Sequence, residues 1–293
     1  MHKRNAGEMT FLIISAVFLS LFSFLCIYPF YYVIIASLMS GAQNVVSYFW
    51  PKQFSINTYL KIFENPDIGR AFFISASRTF LGTVLSVFFS AMFAYLITQE
   101  NMLFRKFVYR FSIITMYFSA GLIPWYLTMR MYGFYDNYLL YVIPSAVSVW
   151  FVILVKTYIE SLPKSLEESA LIDGAGFFTI YVRIIMPLCK PILATIAVFE
   201  AIGQWNSWSD NFFLVDNPKL QTLQLLLYRI LNQAQQLADA MRNNSSMHNV
   251  RITFSANTVR MAMVVISVVP IMFVYPFLQR FFTKGIMMGA IKG

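Results

Sequence analysis

Long apolar runs divide this chain into segments, and they constrain its fold more than any other feature of the sequence. A helix needs about 20 consecutive, mostly apolar residues to cross a bilayer. Six such runs are present, at 10–38, 71–98, 108–129, 138–159, 187–207 and 260–282. Charged residues make up only 12% of the chain, about half the level of a soluble domain. The sequence therefore predicts an all-α membrane protein, with six transmembrane helices in a single transmembrane domain that covers residues 1–293.

The first apolar run and the basic residues predict how the chain is inserted. A signal peptide has an apolar core of only about 7–15 residues, and the run at 10–38 is nearly twice as long. We interpret this run as an uncleaved first membrane helix. Lysine and arginine are denser in the segments that face the cytoplasm if the N-terminus lies inside, in agreement with the positive-inside rule. Both termini of this multi-pass protein are therefore predicted to be cytoplasmic, and two loops, 39–70 and 208–259, to face outward.

Several function classes are disfavoured by the composition and the motifs. The formal charge of +9 comes from basic residues scattered between apolar runs, without the clustered patch that nucleic-acid binding needs. The cysteines and histidines lack metal-ligand spacing. A GxxxxGK[ST] loop is absent, so the chain is not expected to hydrolyse ATP, and no cofactor or metal is predicted in it. Paired aspartates and Ser–Lys or Ser–His arrangements are also absent from the runs, so we predict that it is not an enzyme.

A polar stretch, the loop at 163–187, separates the fourth apolar run from the fifth and includes the sequence EESALIDGAG. Ser165 and Glu168 are spaced as a capping box, which starts a helix. Gly174 and Gly176 supply the backbone freedom that ends one. The pattern predicts two helical pieces, at 166–173 and 177–185. A short helix in this position is either an ordinary elbow at the membrane surface or a segment that receives a push from a cytoplasmic partner.

The same loop resembles the EAA loop of bacterial ABC importer permeases, whose pattern is E-A-A, three residues, G, nine residues and I-x-L-P. Serine replaces the second alanine here, and methionine replaces the leucine. The Asp-Gly-Ala triplet at 173–175 also fits the family. The residues that carry the resemblance are Glu168, Ser169, Ala170, Gly174, Ile184, Met186 and Pro187.

Three further elements, in the order in which the family has them, resemble carbohydrate-type permeases such as the maltose-type inner-membrane subunit. The sequence FSINTY at 54–59 resembles the Phe-Ser-Leu-x-Asn-Tyr element before the second span, with Thr58 where asparagine is usual. Trp205 and Asn206 resemble a Trp-Asn pair late in the fifth span. The ending QRFFTKG…GAIKG at 279–293 resembles the Q-R-x-x-x-x-G…G-A-x-K-G ending. The resemblance therefore covers most of the chain.

The resemblance implies a type I ABC importer permease of the bacterial inner membrane, which moves saccharides by alternating access. Its implied partners are a second permease subunit in a heterodimer, two ATPase subunits that bind ATP and Mg, an external solute-binding protein, the membrane lipid and the saccharide. One branch of the family imports acidic oligosaccharides such as alginate. Basic residues in the outer segments would suit an anionic sugar, and they would equally suit ordinary surface solvation. These residues are Lys52, Lys61, Arg70, Arg78, Arg130, Arg251 and Arg260.

By the same resemblance, the loop is a coupling helix that inserts into a cleft on the ATPase, and the C-terminal tail reaches into the ATPase pair. Alternatively, the tail is a basic anchor that binds anionic lipid headgroups. Its glycines predict an irregular segment after residue 282. The implied coupling residues are Glu168, Ser169, Ala170, Asp173, Gly174, Ala175, Gly176, Gln279, Arg280, Lys284 and Gly285.

Polar residues inside and just after the apolar runs predict a substrate pathway, because ionisable residues in spans are costly and mark function. Glu200 and Gln204 share a helix face at i and i+4, and amide, carboxylate and indole groups together suit a sugar. The alternatives are a salt bridge between Glu200 and an arginine, and an aromatic belt at the membrane interface. The candidate pathway residues are Arg78, Glu200, Gln204, Trp205, Asn206 and Trp208.

Two other classes of membrane protein compete with the importer subunit. An intramembrane enzyme would need the paired acids or nucleophile arrangements that the runs lack. An ion-coupled secondary transporter without an ATPase partner usually shows internal repeats and discontinuous spans, and the sequence has no strong repeat. Co-purification with an ATPase would separate the importer subunit from both.

Overall fold

The protein is described by a computed structural model over residues 6–39, 54–243 and 256–289. Within these ranges the regular structure is helical, and extended backbone pairs only in an isolated bridge between Met39 and Phe54. Lys52, Arg251 and the part of the GAIKG ending after Gly289 lie outside the described residues. The helices are α1 (Ala6–Ser37), α2 (Asn57–Phe63), α3 (Asp67–Thr98), α4 (Arg105–Tyr117), α5 (Leu122–Met131), α6 (Val149–Glu160), α7 (Ser165–Ile172), α8 (Phe177–Ile180), α9 (Met186–Leu188), α10 (Lys190–Asn206), α11 (Ser209–Leu214), α12 (Leu223–Asn243) and α13 (Ala256–Gly289).

Two of the described helices are long and apolar enough to cross a membrane, namely Gly7–Ser37 within α1 and Asp67–Thr98, which is α3. A third candidate is the helix pair Phe177–Leu188 and Lys190–Asn206, whose axes are bent by 83°. The all-α class predicted from the apolar runs is confirmed. The count of six transmembrane helices stays a prediction.

The predicted runs at 108–129 and 138–159 each contain a break. Gly121, between α4 and α5, has a φ of +84°, which glycine adopts at no steric cost. In the second run a short 3-10 turn is followed by Pro144, and α6 begins only at Val149. Proline has no backbone N–H and clashes with the turn before it, so a continuous helix through this point is disfavoured.

The last helix differs from its prediction. α13 continues to Gly289, although an irregular segment was predicted after residue 282. A glycine inside a helix costs only about 1 kcal/mol relative to alanine, so Gly285 lowers the stability of the helix without ending it. The continuous helix therefore carries part of the C-terminal ending that resembles the maltose-type subunit.

The described chain forms two compact units, of which one contains 67–226 with 270–293 and the other contains the residues up to 66 with 227–269. In the first unit, α3 packs against α10 and α6. Small buried residues recur at every fourth position along α3, which places them on one face of the helix. They are Gly82, Ser86, Ser90 and Ala94. Small side chains let helix backbones approach closely, so this face sets the packing of the unit.

In the other unit, the end of α1 is tied to the FSINTY element. The backbone N–H of Ser55 donates to the carbonyl oxygen of Leu38 at 2.9 Å. The hydroxyls of Ser37 and Tyr59 are 2.6 Å apart. The tyrosine of the element, Tyr59, therefore has a local structural role, because it fixes α2 to the end of the first apolar helix.

Candidate functional site

The predicted coupling helix is present as α7, at Ser165–Ile172. It ends as predicted at Gly174, which has a φ of +79°, and the N–H of Ala175 donates to the carbonyl oxygen of Ala170 at 2.9 Å. The predicted capping box does not form. The helix begins one residue earlier than predicted, with Lys164 at the N-cap and no side-chain cap, so Ser165 lies inside the first turn.

One face of α7 is exposed. Glu168, Ser169 and Asp173 are exposed, as are both glycines at 174 and 176. Ile172 is 86% exposed, which is unusual for an isoleucine. Of the other predicted residues, Ala170 is buried and Ala175 is half-buried. The exposed face thus combines acidic, small and apolar side chains.

The opposite face of α7 is fixed to the end of α3 by Glu167. The hydroxyl of Tyr95 donates to Glu167 Oε1 at 2.9 Å, and Gln99 Nε2 donates to the same oxygen at 2.7 Å. Tyr95 is buried and stacks on Tyr181, with ring centroids 5.7 Å apart. The sequence reasoning missed this contact, although Tyr95 and Gln99 stand at i and i+4 and so share a helix face.

The segment after α7 enters the next helix through an irregular bend. A π-helical turn at Tyr181–Ile185 separates α8 from α9, and π turns often occur at functional sites. The hydroxyl of Tyr181 donates to the carbonyl oxygen of Phe88 on α3 at 2.7 Å. The coupling loop is therefore anchored to α3 at two levels, by Glu167 and by Tyr181.

The remaining predicted coupling residues lie on α13. Gln279, Arg280, Lys284 and Gly285 fall within this helix, and their side chains lie outside the described part of the structure. Their predicted contact with an ATPase stays a prediction.

Arg78, the first of the predicted pathway residues, is buried in a cluster of polar groups. Its side chain is 3% exposed and pairs with Asp210, with Nη2 2.6 Å from Oδ2 and Nη1 3.2 Å from Oδ1. The guanidinium carbon lies 4.5 Å from the centre of the Tyr141 ring. Two parallel hydrogen bonds make this a strong and directional ion pair. The arginine pairs with Asp210 rather than with Glu200, which was the alternative in the sequence.

Gln204 connects the arginine to Glu200. Arg78 Nε donates to Gln204 Oε1 at 3.1 Å, and Gln204 Nε2 donates to Glu200 Oε1 at 2.8 Å and to Ser145 Oγ at 2.7 Å. A Cβ at Gly82 would lie 2.9 Å from the amide of Gln204, so the absence of a side chain at Gly82 makes room for this network. Neither Ser145 nor Gly82 was predicted from the sequence.

A second set of hydrogen bonds continues from Asp210. Asn211 Nδ2 donates to the Tyr141 hydroxyl at 2.7 Å, and Asn211 Oδ1 accepts from the N–H of Thr222 at 3.0 Å. The N–H of Leu223 donates to Ser75 Oγ at 2.8 Å. These bonds satisfy the first backbone donors of α12, so the start of α12 is fixed to the same cluster.

A polar cavity of about 520 Å³ opens beside the arginine cluster. Three of the predicted pathway residues line it, namely Arg78, Glu200 and Gln204. The other three do not. Trp205 packs edge to face on Phe72 at 5.7 Å, while Asn206 is exposed and accepts from Gln224 Nε2 at 3.4 Å. The cavity is otherwise lined by Ser119, Gly121, Leu122, Trp125, Leu140, Tyr141, Pro144, Ser145, Gly203, Ser207, Ser209, Asp210 and Phe213.

Trp208, the last predicted pathway residue, packs edge to face on Phe212 with ring centroids 5.9 Å apart. It is 37% exposed and does not line the cavity. The described residues also hold no group of three or more histidine, cysteine, aspartate or glutamate side chains that could bind a metal ion. The cavity lining thus offers hydrogen-bonding groups and aromatic faces.

Comparisons with known proteins identify the family. Residues 86–288 match the family of the inner membrane component of binding-protein-dependent transport systems. The chain belongs to this family. It is therefore a permease component of an ABC transporter in the inner membrane, and not an enzyme. Permeases of this kind work in general with a partner permease, an ATPase and a solute-binding protein.

Individual relatives are similar over nearly their whole length. The polygalacturonan/rhamnogalacturonan transport system permease protein YtcP of Bacillus subtilis is 32% identical over 278 residues, which cover 94% of this chain and 96% of that protein. Protein LplC of the same organism is 33% identical over 296 residues, which cover 100% and 98%. A chain in the crystal structure of a bacterial ABC transporter involved in the import of the acidic polysaccharide alginate has a TM-score of 0.82 and 29% identity, covering 96% of this chain and 100% of that one.

Proposed function

We propose that this chain is a transmembrane subunit of an ATP-driven importer for oligosaccharides. The observation that carries the proposal is that one continuous helix, α3, contributes both to the polar cavity and to the contact with the coupling helix. Arg78 is in the cavity wall, and Tyr95 and Gln99 hold Glu167. A movement imposed on α7 would therefore reach the cavity through a single rigid element.

The cavity has the chemistry that a saccharide needs. Glu200, Ser145 and Ser209 offer oxygen atoms to sugar hydroxyls, and Trp125 offers an apolar face to a sugar ring. Ligand sites combine an apolar lining with a few placed polar groups in this way. The named substrates of the similar proteins, polygalacturonan or rhamnogalacturonan and alginate, are also carbohydrate polymers.

The exposed face of α7 is proposed to dock on an ATPase subunit, which supplies ATP and Mg. Glu168, Ser169 and Asp173 would contact it, and Gln279, Arg280, Lys284 and Gly285 would add a second contact from α13. In this arrangement both termini are cytoplasmic and a second permease completes the cavity. The expectation of an acidic sugar such as alginate stays a prediction.

The test is to extract the tagged chain gently from native membranes and to identify the proteins that accompany it. We expect a Walker-type ATPase and a second permease, and ATP hydrolysis that oligosaccharides stimulate in the presence of the solute-binding protein. A chain that purifies alone and folded would overturn the proposal in favour of an ion-coupled secondary transporter.

The pathway residues are tested in the same complex. Replacement of Glu200 or Gln204 by alanine should impair uptake while the complex still assembles. Of the three variants, Asn206→Ala should reduce uptake least, because Asn206 lies outside the cavity lining. Unchanged uptake in all three variants would show that the cavity is not part of the substrate pathway.

A further inference from the structure

Three charged side chains line the polar cavity among the described residues: Arg78, Asp210 and Glu200. One is a cation and two are anions, so the wall that this chain contributes carries a net negative charge when all three are ionised. This balance matters for the substrate, because charges interact more strongly beside a low-dielectric wall than in water.

The cation of the cavity is largely engaged, because four of the five N–H donors of Arg78 bond to protein groups. Arg78 uses Nε for Gln204, Nη2 for Asp210, and Nη1 for both Asp210 and the carbonyl oxygen of Ser207 at 3.5 Å. Its side chain is only 3% exposed. A buried, paired arginine cannot leave its carboxylate without leaving that charge uncompensated. Arg78 is therefore committed to the carboxylate of Asp210 rather than to one of the substrate.

Asp210 is engaged to a similar degree. Its Oδ1 accepts from the hydroxyl of Ser207 at 3.1 Å and from the N–H of Asn211 at 2.9 Å, in addition to its bonds with Arg78. The ion pair and its neighbours thus form a closed set of hydrogen bonds. Its charges cancel, and its structural role leaves the third charged residue to act on the substrate.

Glu200 differs from the other two. It is half-buried, and its Oε1 accepts from Gln204 at 2.8 Å, whereas its Oε2 has no hydrogen bond to any other described residue. An ionised carboxylate can only accept hydrogen bonds. Oε2 is therefore suited to receive a hydroxyl group, and a carboxylate in the same place would meet a like charge.

We infer that Glu200 determines specificity: it accepts a hydroxyl of an uncharged saccharide ring at this wall and disfavours a ring that carries a carboxylate. The inference rests on the proposed function, since it concerns the substrate of the same cavity. It runs against the acidic sugar that the outer basic residues suggested. Among those residues, Arg70 pairs with Asp67, Arg130 lies over Tyr135, and neither lines the cavity.

The experiment uses pairs of oligosaccharides that differ only at C6 of each ring, which is a hydroxymethyl group in one and a carboxylate in the other. Galactose and galacturonate, mannose and mannuronate, and glucose and glucuronate oligomers supply three such pairs. Uptake is measured in proteoliposomes that contain the complete complex with its solute-binding protein. The wild-type complex should take up the neutral member of a pair at least about tenfold faster, because like charges brought together in a binding site cost more than the 1.4 kcal/mol of a tenfold ratio.

The decisive variant is Glu200→Gln, which keeps an oxygen acceptor and removes the charge. We expect acidic uptake to rise and the ratio of neutral to acidic uptake to fall about tenfold. Glu160→Gln is the matched control. Glu160 lies on the exposed side of α6, where it pairs with Lys156, and its replacement should leave the ratio unchanged.

Two outcomes would overturn the inference, and they are distinguishable. If the wild-type complex imports an acidic oligomer as fast as its neutral partner and Glu200→Gln leaves the ratio unchanged, the inference fails and the proposed function stands. If the assembled complex imports no member of any pair, the saccharide assignment fails and the inference fails with it.

Discussion

The two ends of α3 are built from different kinds of contact. At one end Arg78 is buried in an ion pair with Asp210 and bonds to Gln204. At the other end, about 25 Å further along the helix axis, the neutral side chains of Tyr95 and Gln99 donate to one half-buried carboxylate, that of Glu167. The first end fixes helices within the membrane, and the second holds the coupling helix.

This difference predicts different consequences of mutation. Charges removed from water need all their partners, so the Arg78 cluster should control whether the unit folds. The Glu167 contact lies near solvent and involves a single charge, so its loss should leave the fold in place. It should instead weaken the transmission of movement from α7 to α3.

The largest expected effect is that of Arg78→Ala. Removal of one partner of a buried ion pair costs about 3–5 kcal/mol of unfolding free energy, because Asp210, which is only 14% exposed, would lose its cation. Thermal unfolding of the purified complex measures it. Arg70→Ala is the control on the same helix. The Arg70–Asp67 pair is half exposed, at 50% and 46%, and such pairs contribute less than about 1 kcal/mol. If both variants lost the same unfolding free energy, the buried pair would be no more important for stability than the exposed pair.

The second prediction concerns the other end of α3. Glu167→Ala removes the acceptor of two hydrogen bonds, a smaller loss than that of a buried ion pair because Glu167 is half-buried and both donors are neutral. We expect about tenfold less transport per ATP hydrolysed, with an unchanged yield of complex. Glu167→Gln, which retains an acceptor oxygen, should recover part of the coupling. A parallel loss of coupling and complex yield would show that the contact only stabilises the fold.

The third prediction concerns the close contact between Gly82 and Gln204 at the cavity end of α3. Gly82→Ala would place a methyl group 2.9 Å from the Gln204 amide, and Gln204 is held there by its three bonds. Overpacking of this kind costs about 1–3 kcal/mol, and it should displace Gln204 and lower uptake. Gly69→Ala on the same helix is the control, since nothing lies within 4 Å of its added methyl group. Similar uptake by the two variants would contradict a tight network around Gln204.

A smaller effect is expected for Gly174→Val, which should leave membrane insertion intact and uncouple ATP hydrolysis from uptake. The φ of +79° at Gly174 costs a β-branched residue about 1–2 kcal/mol, so the turn after α7 should shift. Gly176→Val separates backbone strain from a lost contact, because Gly176 has an extended backbone with a φ of −71°, which valine adopts without strain. Normal coupled transport by the Gly174 variant would contradict the assignment of the coupling loop.

The smallest effect concerns the exposed pair between Lys164 Nζ and Glu100 Oε1, which are 2.6 Å apart. Its hydrogen bond and charge lower the pKa of Glu100 and raise that of Lys164. The contribution of Glu100 is present above its unfolded-state pKa and is lost as pH falls through its lowered pKa. The contribution of Lys164 is lost only at alkaline pH, above its raised pKa. Glu100→Gln should therefore destabilise the protein slightly at neutral pH and not at all in acid, as thermal unfolding at both values would show.

Much of the coupling region was predictable from residues close together in sequence. The helix at 166–173, its end at Gly174 and the likeness to the EAA loop depend on local patterns, and the structure has a helix at Ser165–Ile172 that ends before that glycine. The capping box failed because its serine and glutamate also fit a helix that starts one residue earlier. The spacing of these two residues does not distinguish a helix that starts at Leu166 from one that starts at Ser165.

The candidate pathway residues were predicted less well. Arg78, Glu200 and Gln204 share the cavity, whereas Trp205, Asn206 and Trp208 point elsewhere. All of the last three lie at the end of α10 or just after it, where a change of one residue turns a side chain by about 100° around the axis. Proximity in sequence to Gln204 therefore did not place them on its face.

The sequence by itself determined the helical class, the membrane environment and the family, because long apolar runs and short motifs are local properties. Only the tertiary structure decided the partners of the charged groups. Arg78 meets Asp210 across 132 positions, and Tyr95 meets Glu167 across 72. Each of these pairs forms because packing brings two distant segments together, and small residues along one face of α3 allow the close approach. Which acid then pairs with an arginine, and which is left to face a substrate, depends on that packing.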